Sequence, residues 1–119
     1  MSRMRLAGHT VLVVEDEPLV ALDIIEAMRT AGASVLTAQR LADGLRLASH
    51  PALSAAIVDF RLSDGYATEL CVRLKERGVP FVLYSGYPRV DEACRSGVVV
   101  AKPATSHQLV TAVAGLVGS

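Results

Sequence analysis

Four apolar runs of strand length each end on a residue able to do chemistry. Val11–Val14 stops on Glu15, Asp16 and Glu17, and Ala55–Val58 stops on Asp59. Pro80–Tyr84 stops on Ser85 and Gly86, and Val98–Ala101 stops on Lys102 and Pro103. In an open parallel sheet the carboxyl ends of the strands lie side by side, and ligands bind in the crevice above them. Such a sheet gathers Glu15, Asp16, Asp59, Ser85 and Lys102 into one site. The clustered carboxylates raise one another's pKa, and a divalent cation relieves that repulsion. Magnesium suits the set, because it takes one or two carboxylates, keeps several waters and bridges to phosphoryl oxygens. Lys102 brings a compact positive charge, and Ser85 brings a hydroxyl that can donate to a phosphoryl oxygen. Asp59 then fits a carboxylate nucleophile that carries phosphate as an acyl phosphate. Taken singly, each residue has a plainer role as a turn former, a helix cap or surface punctuation. Taken together, the plain reading needs four coincidences at four core strands.

Strand and helix signals alternate about five times. The first strand spans about His9–Val14. Pro18 opens a helix at a position where a missing N–H costs nothing. Leu22, Ile25 and Met28 are its expected buried stripe, Asp23, Glu26 and Arg29 its outer face, and Gly32 its end. Ser34–Ala38 is the second strand, and Leu41, Leu45 and Ala48 mark a short helix. Ala55–Asp59 is the third strand, and Leu62–Gly65 is a turn by composition. Leu70, Cys71 and Leu74 are the inner face of the next helix, which Gly78 closes. Phe81–Ser85 and Val98–Ala101 are the fourth and fifth strands. Only about a dozen residues, Gly86 to Gly97, join them. The fourth helix is therefore expected to be about two turns within Arg89–Arg95. Thr105 and Gln108 fit a capping box for the last helix. Leu109, Ala112, Val113 and Leu116 are its expected inner stripe. Val110, Ala114 and Val117 widen that stripe, and Gln108, Thr111 and Gly115 are left outside without charge. This is either an Ala/Val-rich packing helix or a face for a partner or a second copy. The nearly continuous apolar strands predict burial on both faces of a parallel sheet.

Composition narrows the function classes. The 119 residues make one domain able to bury its own core, expected to be a single unit over 1–119. With 51% hydrophobic and 20% charged residues the chain is of the globular kind. Twelve basic against twelve acidic side chains give no net charge and no footprint for nucleic acid. No direct DNA binding is expected. There is no apolar stretch of membrane-spanning length and no secretory leader pattern, so a cytoplasmic protein is the default. Cys71 and Cys94 are the only cysteines. They offer no disulfide framework and no CxxC metal pair, and both are expected to sit in helices as small apolar residues. His9, His50 and His107 are scattered and read as surface residues.

The motifs resemble the receiver domain of bacterial two-component response regulators. The likeness runs from about His9 to Val117 and rests on Val-Glu15-Asp16-Glu-Pro, Val-Asp59-Phe-Arg-Leu-Ser-Asp-Gly65, Ser85-Gly86 and Lys102-Pro103, in that order. It implies a flavodoxin-like (βα)5 doubly wound parallel sheet with strand order 2-1-3-4-5. It implies that Asp59 accepts a phosphoryl group from a sensor histidine kinase. Asp16 would bind Mg2+ directly and Glu15 mainly through water, with Asp59 and the backbone carbonyl of Arg61 completing the protein ligands. Ser85 would close on the phosphoryl group, Lys102 would pair with it, and the Lys102–Pro103 bond would be cis. Such a domain is a phosphoacceptor switch rather than an ordinary enzyme. With no output domain expected after the last helix, it would act through a downstream protein, a phosphotransfer protein or a homodimer.

The chain also departs from that pattern. Val99 stands three residues before Lys102, where such domains usually carry an aromatic switch residue, and the Gly86–Gly97 connection is short. Tyr84-Ser-Gly-Tyr87 resembles a subgroup of alphaproteobacterial single-domain receivers associated with kinases of the HWE/HisKA2 type. Tyr87 and Arg61 would flank the approach of water to a phosphorylated Asp59. Two enzyme-like alternatives fit less well. A flavodoxin-type electron carrier needs a hydroxyl- and glycine-rich phosphate loop where this chain has Glu15–Pro18. A haloacid-dehalogenase-type phosphatase needs a second Asp where this chain has Arg61. A receiver used purely as a phosphorylation-independent binding module is the alternative of a different class.

Overall fold

In chain order the elements are β1 (Thr10–Val14), α1 (Pro18–Thr30), β2 (Ser34–Ala38), α2 (Leu41–Leu47) and β3 (Leu53–Asp59). There follow β4 (Arg61–Leu62), β5 (Gly65–Tyr66), α3 (Thr68–Glu76), β6 (Phe81–Ser85), a 3₁₀ turn (Glu92–Ser96), β7 (Val98–Ala101) and α4 (Ser106–Val117). These come from a computed structural model that describes residues 4–86 and 91–118. The sheet order is β2-β1-β3-β6-β7, with every pair parallel. The two-residue strands β4 and β5 pair only with each other. Set aside, they leave the expected order 2-1-3-4-5 and the flavodoxin-like, doubly wound architecture.

Alternation along the strands divides the core into two layers. Leu12, Val14, Ala56, Val58 and Leu83 pack with Leu70, Cys71 and Leu74 of α3. Val11, Val13, Ala55, Ile57, Val82 and Tyr84 pack with Ile24 and Met28 of α1 and with Leu109 and Val113 of α4. The central strands β1, β3 and β6 are closed on both faces. The edge strands are not, because each has only one neighbour: Val98 and Val99 of β7 are 42% and 46% exposed. Burial on both faces therefore holds for the middle of the sheet and fails at its rims.

Three helix expectations are corrected. In α1 the buried residues are Ala21, Ile24 and Met28, while Leu22 is half exposed. Residues 21, 24 and 28 keep helical spacing just as 22, 25 and 28 do, and the small Ala21 lets the helix approach the core closely. In α4 the buried set is Leu109, Val110, Val113 and Ala114. That helix packs against α1 as well as the sheet, so its apolar face turns toward both; Ala112 and Leu116 end up only part-buried. Gln108, Thr111 and Gly115 are exposed as expected, and the Thr105/Gln108 capping box is formed in both directions. The expected fourth helix is the single 3₁₀ turn Glu92–Ser96; the Arg89–Val90 part of that expectation lies outside the described residues.

Cys71 and Cys94 are joined in a disulfide. They lie 23 residues apart in sequence, and only the crossover from β6 to β7 lays the 3₁₀ turn on α3. Spacing alone carries no sign of that proximity, which is why the reading of two separate apolar cysteines fails.

Two glycines make opposite demands. A Cβ on Gly97 would lie 2.7 Å from the Phe81 carbonyl oxygen and 2.5 Å from its ring, whereas one on Gly115 would meet nothing within 4 Å. Gly97→Ala is expected to cost about 1–3 kcal/mol through overpacking. Gly115→Ala is expected to stabilise the helix by about 0.5–1 kcal/mol. Thermal unfolding of both variants checks the pair; equal shifts would contradict the packing at residue 97.

Candidate functional site

The parallel register aligns the strand ends. Val14 pairs with Val58, Asp59 with Tyr84, and Ser85 with Ala101. The chain leaving each of β1, β3, β6 and β7 therefore emerges on one edge. Glu15 is held at the start of the first loop because its N–H donates to the Ala38 carbonyl of β2 at 3.0 Å. The Lys102 N–H donates to the Ser85 carbonyl at 2.8 Å, which continues the sheet one residue past β7. The Lys102–Pro103 bond that follows is cis.

Glu15, Asp16, Asp59, Lys102 and the Arg61 backbone meet at this edge, with Ser85 on the adjoining strand end. Glu15, Asp16 and Asp59 each offer a carboxylate oxygen, and these oxygens lie within 4.8 Å of one another. Lys102 Nζ donates to Asp59 Oδ2 at 3.1 Å and sits 4.7 Å from the centre of the Tyr84 ring. The Arg61 N–H lies 3.4 Å from Asp59 Oδ1, so the turn after β3 folds back over its own last residue. Ser85 is buried at the end of β6, next to the strand that delivers Lys102. The Arg61 side chain is exposed. Tyr87, expected to flank Asp59, lies outside the described residues. His9 and His50 are half-buried and His107 is exposed, none of them in this cluster.

Electrostatics set the character of the site. At an effective dielectric near 20, two carboxylates 4.8 Å apart repel by about 3 kcal/mol. One ammonium cannot offset three such groups. Glu15 bears the strain most clearly. It is 2% exposed, its Oε2 accepts from the Glu17 N–H at 3.0 Å, and its buried Oε1 has no hydrogen-bond partner among the described residues. Burial pushes its carboxyl up from the ordinary 4.5 to about 7; the Asp59 charge adds to this, and the Glu17 N–H and Lys102 oppose it. Burial by itself would pull Lys102 down, but the hydrogen bond and charge of Asp59 outweigh it and hold the ammonium above its ordinary value. An oxygen-only donor set with a buried, unpartnered carboxylate oxygen is the chemistry a hard divalent cation requires. Glu15, Asp16 and Asp59 fit such an ion.

One supporting residue is invisible in the local sequence. Asp64, in the turn between β4 and β5, accepts from the N–H groups of Leu41 at 2.7 Å and Ala42 at 3.2 Å. The Leu41 N–H is the main reason its carboxyl is held below the usual range. Asp64 thereby caps α2 from 23 residues away and fixes the hairpin that follows Asp59. Only the Asp-Gly turn signal pointed to it, and that signal says nothing about its partner.

Comparison with known proteins supplies relatives. The chain is 32% identical over 95 residues to the Sensor protein TorS of Escherichia coli (strain K12), covering 77% of this chain and 10% of that protein. It is 27% identical over 110 residues to the Photosynthetic apparatus regulatory protein RegA of Cereibacter sphaeroides, covering 87% of this chain and 60% of that one. The chain thus spans a tenth and three fifths of these relatives. Among solved structures, the receiver domain of the Pseudomonas aeruginosa PAO1 sensor histidine kinase PA1611, with magnesium ion coordinated in the active site cleft, is 26% identical. It superposes with a TM-score of 0.77, covering 95% of this chain and 100% of that one. A response regulator receiver protein from Sinorhizobium medicae WSM419 has a TM-score of 0.81 at 24% identity, covering 94% and 96% of the two chains. No protein-family model matches the chain.

The raised Glu15 value has a measurable consequence. A carboxyl that titrates higher when folded keeps its proton longer in the folded state. Its stabilising contribution is complete below about pH 4.5 and is lost as pH rises through about 7. Metal-free protein is expected to lose Tm across that window, Glu15→Gln to flatten the slope, and magnesium to raise Tm most at the alkaline end. Melting curves at graded pH check this; a slope unchanged by Glu15→Gln would contradict the assignment.

Proposed function

Because the chain has the receiver fold of two-component response regulators, we propose that it is a signalling switch that accepts a phosphoryl group on Asp59 in a magnesium-dependent reaction. The carrying observation is the juxtaposition at the sheet edge. Three carboxylate oxygens lie within 4.8 Å of one another, and an ammonium is 3.1 Å from the carboxylate of Asp59. Glu15, Asp16 and Asp59, with the Arg61 carbonyl, would hold the ion. When bound, the ion supplies charge neutralisation for the transferring group.

The chain's own residues then have defined work. An Asp59 oxygen attacks phosphorus, the bond from phosphorus to the donor histidine nitrogen breaks, and an acyl phosphate forms. Lys102, already on Asp59, balances the charge that moves onto the new phosphoryl oxygens. Ser85 donates its hydroxyl to one of them. Arg61, two residues past Asp59, screens the acyl phosphate from water. The domain promotes its own phosphorylation and slow loss of phosphate, and it turns over no separate substrate.

The donor in this reading is a sensor histidine kinase, with the HWE/HisKA2 type suggested by Tyr84–Tyr87. That one similar domain is part of a histidine kinase supports such a partner. Output passes to a downstream protein, a phosphotransfer protein or a second copy. The exposed apolar and uncharged residues available to such a partner are Val98 and Val99 of β7 and, separately, Gln108, Thr111 and Gly115 of α4. None of the described helices is long and apolar enough to cross a membrane, and we place the protein in the cytoplasm with its kinase's catalytic half.

Incubation with acetyl phosphate and magnesium is expected to add one phosphoryl group, read by intact mass. Chelation of the metal and Asp59→Asn each abolish it, and Lys102→Ala slows it by about 100-fold. Uptake that persists in Asp59→Asn would overturn the assignment. Absence of uptake by the unaltered chain, with beryllium fluoride also failing to bind, would favour a phosphorylation-independent binding module.

A further inference from the structure

The cysteine pair stands outside the phosphoryl site but is joined to its moving parts. Cys71 lies in α3, between Leu70 and Leu74, and all three are fully buried. Cys94 lies in the 3₁₀ turn, and among residues 91–97 it is the one buried side chain. Their Cα atoms are 5.1 Å apart, a separation a disulfide spans without backbone movement. Beyond that bond, Thr68 Oγ1 at the start of α3 donates a hydrogen bond to Asp91 at the start of the turn. The turn runs through Gly97 into β7, which ends on Lys102, and the crossover as a whole begins at Ser85. The described part of that crossover, Asp91–Gly97, is thus fastened to α3 through its one buried side chain and leads directly into the strand that delivers Lys102.

We propose that Cys71 and Cys94 form a reversible redox pair that sets how readily this domain adopts its phosphoryl-bound state, an inference that rests on the phosphoacceptor reading. A chain of this size with two packed layers does not need a staple to fold. The pair's effect is therefore local, on a segment with little other burial. Bonded, the turn is fixed in the arrangement that leaves Lys102 on Asp59. As thiols, the turn is free to shift with the β7 end that carries Lys102 toward an added phosphoryl group.

The oxidant is a low-molecular-weight disulfide of the glutathione class. One cysteine thiolate attacks a glutathione disulfide sulfur, forming a mixed disulfide and expelling one glutathione thiolate. The second cysteine thiolate attacks the protein sulfur of that mixed disulfide and expels the other. Two protons move from the protein thiols to the two glutathione thiolates, so one disulfide is reduced as one forms. Both sulfurs are buried, so exchange proceeds through opening of the turn from α3.

The whole chain is equilibrated in glutathione buffers of graded ratio, its thiols are counted by alkylation and intact mass, and each form is titrated with beryllium fluoride in magnesium by calorimetry. The reduced form is expected to bind at least about fivefold more tightly, with faster amide exchange at Asp91–Gly97. The Cys71→Ala/Cys94→Ala double variant should bind like the reduced form in every buffer. Equal affinities of the two unaltered forms overturn the proposal, as does tighter binding by the oxidised form or failure of the bond to form at any ratio. Those comparisons need no variant to fold. Binding by neither form would instead overturn the phosphoacceptor reading on which the inference stands.

Discussion

Parallel pairing is the constraint from which the rest follows. When β1, β3, β6 and β7 run the same way in one register, whatever follows each strand is delivered to the same edge. The price of that arrangement is a row of polar groups crowded over the end of an apolar core. Here the row is three acids, a hydroxyl and an amine. Its members are close because the strands are adjacent, and no local preference of theirs brings them together. The same pairing demands crossover connections, and the helices in them make the two packed layers.

The site is electrostatically unfinished in a directed way. Lys102 offsets Asp59, which leaves Glu15 to be neutralised by its own proton or by a cation. A divalent ion bound there would compete with that proton for the same buried oxygen atoms. A charged Glu15 with nothing beside its buried oxygen is the least favourable condition. The Tyr84 ring under Lys102 adds a face that favours the ammonium without adding another acid.

All five long strands and the residues at their ends were legible in the sequence, because apolar runs punctuated by polar residues mark strand length, while the sheet order followed from the resemblance to receiver domains. Asp59, Asp16, Glu15, Ser85 and Lys102 stood out for that reason. What was not legible depended on packing between elements distant in sequence. The stripe of α1 could be drawn through Leu22 or Ala21 with equal periodicity, and only the neighbour it packs against decides between them. The broad face of α4 gave no sign that α1 would share it. Cys71 and Cys94 looked unrelated because their meeting is made by the crossover between β6 and β7. The open faces of β2 and β7 follow from their place at the rim, which the order of strands implied but the composition of each strand did not.

α2 shows how far a helix can be a product of its surroundings. Its seven residues include Gly44 at the centre, buried against Val14 and Leu70 where no larger residue fits without displacement. Its own Arg40 supplies no cap, and its first amides are held by Asp64 from beyond the following strand. So short and glycine-bearing a segment has almost no helicity alone. During synthesis, a nascent chain that has emerged only as far as β3 would lack the group that starts this helix. The second helix of the fold is therefore completed after the third strand and its hairpin, and spatial order along the chain differs from the order in which structure can be gained.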